Sequence, residues 1–564
     1  MSKVKRSALV LLVTLLSSLA WGQDRGQDHK VAPDLSADDS SDQVNVIVQF
    51  KQTPGEAHKN KIRSKGGSVD SDLSLVKAVA GKMPKNRLSE LANDPDVAYV
   101  SPDRPVQGTN NGNPSATLDY HDTTVNAQIA WQSGYDGTGI GVAVIDSGII
   151  DIPDLHGQNG SRVVYSQDFV NGGSAVDKYG HGSHVAGIVG GNGNKSTGSN
   201  YSYTFKGIAP NVNLVNLRVL DQNGVGTDSQ VIAAINEAIS LKSKYHIQVI
   251  NLSLGRPVYE SYKLDPLCQA VEQAWKAGIV VVVAAGNDGR DNSAGTNGYA
   301  TITAPGNDPY VITVGAMNTL GTASRADDQI ASYSSKGPTA IDHIVKPDLV
   351  APGNRIISLY TAGLTLNKLY PGNEIPKSLY EANGNSPDTT ASDTYYSLSG
   401  TSMAAAVVSG AVADLLQAQP SLTPDQVKAR LMETAYKVFP RYSSVTDPTT
   451  GITYTDQYDI FTIGAGYLDL QAALASTDVA PANLTAKSPA ASYNSASQSV
   501  YLLQNDSAVW GGSAVWGGSA VWGGSAVWGG SSTSGFSAVW GGSAVWGGST
   551  DATQSLSIAI NGEN

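Results

Sequence analysis

The sequence predicts an α/β domain on a largely parallel sheet flanked by helices, with a small α+β module before it and a Gly/Trp repeat tail after it. Three observations predict this. Short apolar runs at residues 142–145, 212–220, 247–252, 279–285 and 311–316 read as buried strands, because a parallel strand covered on both faces loses the alternation of polar and apolar side chains. Helical patterns at residues 228–242 and 266–277 fall between those runs, and strand, helix and strand in succession imply a sheet wrapped on both sides. Residues 110–476 are also long enough to bury one large core, and the composition changes only after Ser476.

At the amino end, Lys3, Lys5 and Arg6 precede an apolar run over residues 8–16, and Ala20 and Gly22 put small residues where a signal peptidase reads. Residues 1–22 are therefore expected to be a signal peptide, since the run is short for a bilayer span, and the mature chain is expected outside the cytoplasm. Residues 23–43 carry Asp34, Asp38, Asp39 and Asp42 and read as a disordered acidic lead-in. Alternation over residues 44–50 predicts a strand, and residues 57–65 and 85–92 predict helices, giving the small module over residues 44–109. The single cysteine, Cys268, excludes an internal disulfide, and a net charge of −12 argues against a nucleic-acid partner.

Three stretches carry chemistry. Gly400-Thr401-Ser402 opens an apolar run with high helix propensity, so Ser402 falls at a helix start, where free N–H groups favour developing negative charge. A serine there is also the ordinary N-cap. Asp146 follows the strand of residues 142–145, at the end where open α/β sheets place their sites, though a turn or cap reads equally well. His181 stands between Gly180 and Gly182, which let a substrate come close. His181 and His184 are three residues apart, but no Glu lies between them and no third ligand follows at metal spacing, so no metal site is assigned.

Together, Val-Ile-Asp146-Ser-Gly, His181-Gly-Ser-His-Val-Ala-Gly and Gly-Thr-Ser402-Met-Ala resemble the signature motifs of the subtilisin-like serine proteases, in the same chain order. The resemblance covers most of residues 44–475 and implies an Asp146, His181, Ser402 triad, with Asn287 after the run of residues 280–286 as an oxyanion donor. It further implies that Ser253, Leu254 and Gly255 pair with an extended substrate and, with Ala284, Ala285 and Gly286, wall the main specificity pocket. Residues 44–109 are similar to the family's inhibitory propeptide, which implies self-cleavage near Thr109. The substrates would be proteins or peptides, the chain a monomer, and no cofactor is required. The family often binds structural calcium, and oxygens of residues 286–297 could supply ligands, but no calcium loop is spelled out there.

Two departures stand out. The family's usual proline and histidine after the nucleophile are replaced by Ala406 and Val407, so no proline disturbs the helix behind Ser402. An insert over residues 364–396, rich in Asn, Pro, Ser and Thr, is expected to loop over the surface, with a lid over the cleft as the minority alternative.

Residues 477–506 read as a linker, with a strand candidate at residues 499–503. Residues 507–548 are seven hexads, six of them Ser-Ala-Val-Trp-Gly-Gly, and residues 549–564 close the chain as given. Exposed aromatics on a neutral backbone suit contact with a cell surface or a polysaccharide, while a low-complexity spacer fits the composition as well. The sequence thus supports a secreted serine endopeptidase made as a self-cleaving zymogen. The alternative is a surface-associated structural or binding protein whose protease domain is poorly active or serves mainly its own processing.

Overall fold

The computed structural model describes residues 30–35, 40–108, 118–170, 173–382, 388–448, 450–494, 496, 499–503 and 563. The expected signal peptide and the hexad repeats lie outside the described residues.

The amino-terminal module is an antiparallel sheet of β1 (Gln43–Phe50), β2 (Ser68–Leu73), β3 (Ala78–Pro84) and β4 (Val97–Pro102), in the order β2-β3-β1-β4. Two helices accompany it, α1 (Glu56–Ser64) and α2 (Leu88–Ala92). Strand alternation gives the sheet two buried faces. Val46, Val48, Phe50, Val79 and Met83 pack with Ile62, Leu88 and Leu91 in the module's own core, while Ile47, Ala78 and Ala80 join the core of the larger domain. The acidic lead-in departs from expectation. Val31 pairs with Val100, Ala32 and Leu35 are buried in the module core, and both oxygens of Asp34 bind the Arg104 guanidinium. Two apolar side chains and one charge partner outweigh the polar composition that reads as disorder.

The large domain is organised by an eight-stranded sheet. Its strands are β5 (Gly141–Asp146), β6 (Val163–Asp168), β7 (Asn213–Arg218), β8 (Ile247–Leu252), β9 (Val280–Ala284), β10 (Ile312–Asn318) and β11 (Leu349–Pro352), with a short edge pair at Gln329–Ile330. The order is β10-β9-β8-β5-β7-β6, with β11 and Gln329–Ile330 both on β10; only Gln329–Ile330 is antiparallel. Every residue of β5, β9, β10 and β11 is buried, as two-sided cover requires. The helices that matter to the site are α3 (His181–Gly190), α4 (Asp228–Tyr245), α5 (Pro266–Lys276) and α6 (Thr401–Ala418).

Helix α6 is long and apolar enough to cross a membrane by composition, but its window is 89% buried and it packs against α3, β8, β9, β10 and β11 as a core helix. It runs unbroken through Ala405, Ala406 and Val407, all fully buried, as the missing proline predicts.

Two other expectations are corrected. The insert of residues 364–396 is not a loop laid over the surface. Leu366 is buried, its N–H donates to the Tyr179 carbonyl at 2.9 Å, and Tyr395 and Tyr396 enter the core from the strand Ala391–Leu398. Its tyrosines and Leu366 supply the burial that its polar composition conceals. Residues 477–506 are not a plain linker either: Ala486, Ser488 and Ala491 are buried, and Ala491–Asn494 pairs with Ser499–Leu502 as a hairpin. Ser488 Oγ donates to Asp348 and accepts from Lys428 Nζ, so a small hydroxyl fastens this stretch to a buried ion cluster.

Candidate active site

Asp146 ends β5 and His181 begins α3, and the two side chains, both fully buried, meet at 2.6 Å between Asp146 Oδ1 and His181 Nδ1. With Nδ1 turned to the carboxylate, that nitrogen carries the proton and Nε2 offers its lone pair. Among the described residues Nε2 has no hydrogen-bond partner. Close approach of strand and helix needs Gly182, where a Cβ would stand 2.1 Å from the Gly148 carbonyl oxygen.

Ser402 is the second residue of α6, behind Gly400, whose φ of 148° only glycine adopts easily. Its hydroxyl donates to the Ser253 carbonyl at 3.0 Å, and the Ser253 hydroxyl donates to the Ser402 carbonyl at 2.9 Å. The nucleophile candidate is thus held at the end of β8, turned toward Ser253 rather than toward His181 Nε2. Hydroxyl–imidazole bonds of this kind are often loose before substrate arrives.

Asn287 lies just beyond β9 and is oriented by Thr401. Its Oδ1 accepts the Thr401 N–H and hydroxyl, each at 3.0 Å, while Thr401 Oγ1 also accepts the Gly286 N–H at 3.1 Å. The Asn287 Nδ2 group, buried, has no partner among the described residues. A fixed amide whose donor side is unengaged, next to a helix start, is suited to receive an oxyanion.

Ser253, Leu254, Gly255, Ala284, Ala285 and Gly286 are all buried, and Gly255 and Gly286 both lie against Thr303. Leu254–Gly255 is a short strand, and it is paired: Pro105–Gly108 runs antiparallel to it, with Gly108 opposite Leu254, and on its other side pairs with Val225–Thr227. That third strand was not anticipated from sequence; its signal is the Val-Gly-Thr run that ends on Thr227, the N-cap of α4.

Asp177 was also missed. Its Oδ1 accepts the N–H groups of Tyr179 and Gly180 and the Ser147 hydroxyl, and its Oδ2 accepts the Ser183 N–H and hydroxyl, all within 3.0 Å. Burial pushes this carboxyl up, and the Gly180, Ser183 and Ser147 donors pull against it. The signal was a carboxylate four residues before His181.

No cluster of three or more His, Cys, Asp or Glu side chains is arranged to hold a metal among the described residues. In the loop singled out for calcium, Asp291 Oδ1 accepts the Ser293 N–H and Asn292 Oδ1 accepts the Asn297 N–H, so these oxygens cap the loop's own backbone.

The fold, with a serine, a histidine and an aspartate gathered at the carboxyl end of its parallel strands, is that of a serine peptidase. The profile of the subtilase family matches residues 137–466, and the chain belongs to that family. It is 35% identical over 405 residues to serine protease AprX of Bacillus subtilis, covering 69% of this chain and 82% of that protein. It is 32% identical over 435 residues to subtilisin E of the same species, covering 76% and 92%. Among solved structures, fervidolysin from Fervidobacterium pennivorans, a keratinolytic enzyme related to subtilisin, superposes with a TM-score of 0.55 at 24% identity, over 79% of this chain and 62% of that one. The α/β domain is therefore subtilisin-like.

Proposed function

We propose that the chain is a secreted endopeptidase that hydrolyses peptide bonds through an acyl-enzyme and is made as a self-cleaving zymogen. Ser402 Oγ attacks the scissile carbonyl as His181 Nε2 takes its proton, and His181 then protonates the leaving amine. Asp146 holds the imidazole tautomer and stabilises its cation. Asn287 Nδ2 and the Ser402 N–H meet the oxyanion of the tetrahedral intermediate. Water repeats the attack on the acyl-enzyme. No cofactor enters these steps.

The observation that carries the reading is the strand Pro105–Gly108, seated between Val225–Thr227 and Leu254–Gly255. An extended substrate adds to a sheet edge in this way, by backbone hydrogen bonds. Gly108 stands opposite Leu254, one residue from the Ser253 that bonds Ser402, which supports a cut close to this end of the module. Residues 44–109 act as the intramolecular inhibitor, and the first cut falls near Thr109. The basic and apolar start of the chain supports export. The repeats at 507–548 serve as a surface-binding module.

Intact masses of the secreted wild type and of Ser402→Ala, followed by incubation with casein, test this. The wild type is expected to lose its amino-terminal module near Thr109 and digest casein, with the variant left uncut. Processing without casein turnover would instead support the self-processing surface protein.

A further inference from the structure

Glu563 is buried in a socket that the catalytic reading does not use. Its carboxylate receives Arg290 Nη2 at 2.7 Å, the Ser332 N–H at 2.9 Å and the Ser332 hydroxyl. Its backbone is read as well, its N–H donating to Asn354 Oδ1 and its carbonyl accepting Asn354 Nδ2, both at 3.0 Å. Arg290, Ser332 and Asn354 are themselves almost wholly buried.

Contacts within the subtilisin-like domain also hold the socket residues. Arg290 also pairs with Asp447 at 2.9 Å and lies over the Tyr454 ring at 4.3 Å. The N–H of Asn354 is anchored on the Met317 carbonyl. A cleft of about 680 Å³, lined by Arg290, Tyr299, Lys336, Tyr442, Tyr454 and Asp456, borders it on the Arg290 side. Burying a carboxylate is costly unless charge and hydrogen bonds compensate, and here a cation, three further donors and an amide acceptor converge on a single residue. Leu502, in the last described strand before the repeats, packs on the cluster that contains Tyr299, a residue lining the same cleft.

We propose that Arg290, Ser332 and Asn354 form a docking site for a glutamate-bearing peptide segment, and that its resident ligand is this chain's own Glu563. The repeats are then fastened to the domain on both sides. The latch also reaches the active site. Arg290 is three residues from Asn287 in the same loop, whose Gly289 N–H donates to the Tyr333 carbonyl at 2.8 Å, and Asn354 follows Gly353, whose carbonyl accepts the Gly400 N–H at 2.8 Å. The inference does not depend on the catalytic reading.

The test uses the full chain carrying Ser402→Ala, so that no peptide is cut, with and without Glu563→Ala, and a fluorescent synthetic peptide of residues 557–564. Saturable binding to the Glu563→Ala chain is expected, at least about tenfold weaker for the peptide with Glu563→Gln and at least about tenfold weaker for the chain that keeps its own Glu563. Hydrogen exchange at residues 287–292 and 330–335 should quicken in Glu563→Ala and slow again when peptide is added. Absence of binding, or binding indifferent to the glutamate, overturns the proposal. If Glu563→Ala does not accumulate folded, the isosteric Glu563→Gln chain takes its place with the same expectations.

Discussion

The Ser147 hydroxyl donates to Asp177 at 2.9 Å and accepts the Gly182 N–H at 2.9 Å, so one small side chain couples the residue after Asp146 to the residue after His181. The distance between the Asp146 and His181 side chains is set by this link rather than by their own contact alone. Asp177→Ala would strand up to five donors, four of them buried, each costing about 1–3 kcal/mol where water cannot replace the carboxylate. Asp177→Asn keeps the shape but replaces one acceptor with a donor. Turnover of Asp177→Asn is expected to fall on the order of 100-fold through misplacement of His181, with KM little changed. The pH profile of kcat should shift as well, whereas a purely structural loss would lower active-site titre and leave the profile of the surviving enzyme intact.

Asn287 shows why geometry adds to the motif. Thr401 holds its oxygen, so the amide can present only its N–H side to a substrate. In subtilisin, loss of one such donor lowers turnover by about 100- to 1,000-fold, and the same order is expected for Asn287→Ala with KM nearly constant. Thr401→Val removes the hydroxyl contact that orients the amide and should reproduce about a tenth of that loss or more. Steady-state kinetics on a chromogenic peptide would measure both; an unchanged kcat for Asn287→Ala would remove it from the oxyanion site.

Local patterns made the parallel sheet legible and singled out Asp146, His181, Ser402 and Asn287 as candidates, because buried strands are continuous apolar runs and each candidate sits in a short glycine-bearing motif. What could not be read depends on pairing at a distance. Asp34 gains meaning only through Arg104, 70 residues on, and Ser488 through Asp348, 140 residues back. The insert looked like surface because Asn, Ser and Thr outnumber its apolar residues, yet Leu366, Tyr395 and Tyr396 decide its position. The turn of Ser402 toward Ser253 is a choice between two acceptors that no sequence pattern encodes.

Arg104 joins the amino-terminal module to the large domain through Glu260, at 2.6 Å from Nη1 to Oε1, with both side chains about 97% buried or more. Removing one member of such a pair leaves a buried charge and costs about 2–5 kcal/mol. Arg104→Ala is therefore expected to weaken the hold of the cleaved module by about 30- to 4,000-fold. The interval between self-cleavage, followed on gels, and the onset of peptide hydrolysis should shorten accordingly. An interval equal to that of the wild type would mean that the strand Pro105–Gly108 and the apolar contacts of Ile47, Ala78 and Ala80 hold the module without this ion pair.

His184, one turn beyond His181, is fully buried, and its Nε2–H is shared between the carbonyls of Ile356 at 3.1 Å and Tyr396 at 3.0 Å. Burial first, and then the neighbouring His181, push its pKa down to about 3 from 6.5. The unfolded chain takes up this proton near pH 6.5 while the folded chain refuses it until about pH 3. Between those values the unfolded state binds more protons, so this group lowers stability as the solution is acidified, by at most about 1.4 kcal/mol per pH unit. Above pH 6.5 its contribution is fully present and constant. His184→Gln keeps a donor for the two carbonyls but does not titrate. In a Ser402→Ala background, urea unfolding at pH 7.5, 5.5 and 4.5 should show the advantage of His184 over Gln shrinking with acidity. Parallel curves for the two proteins would mean that His184 takes up its proton in the folded state as readily as in the unfolded one.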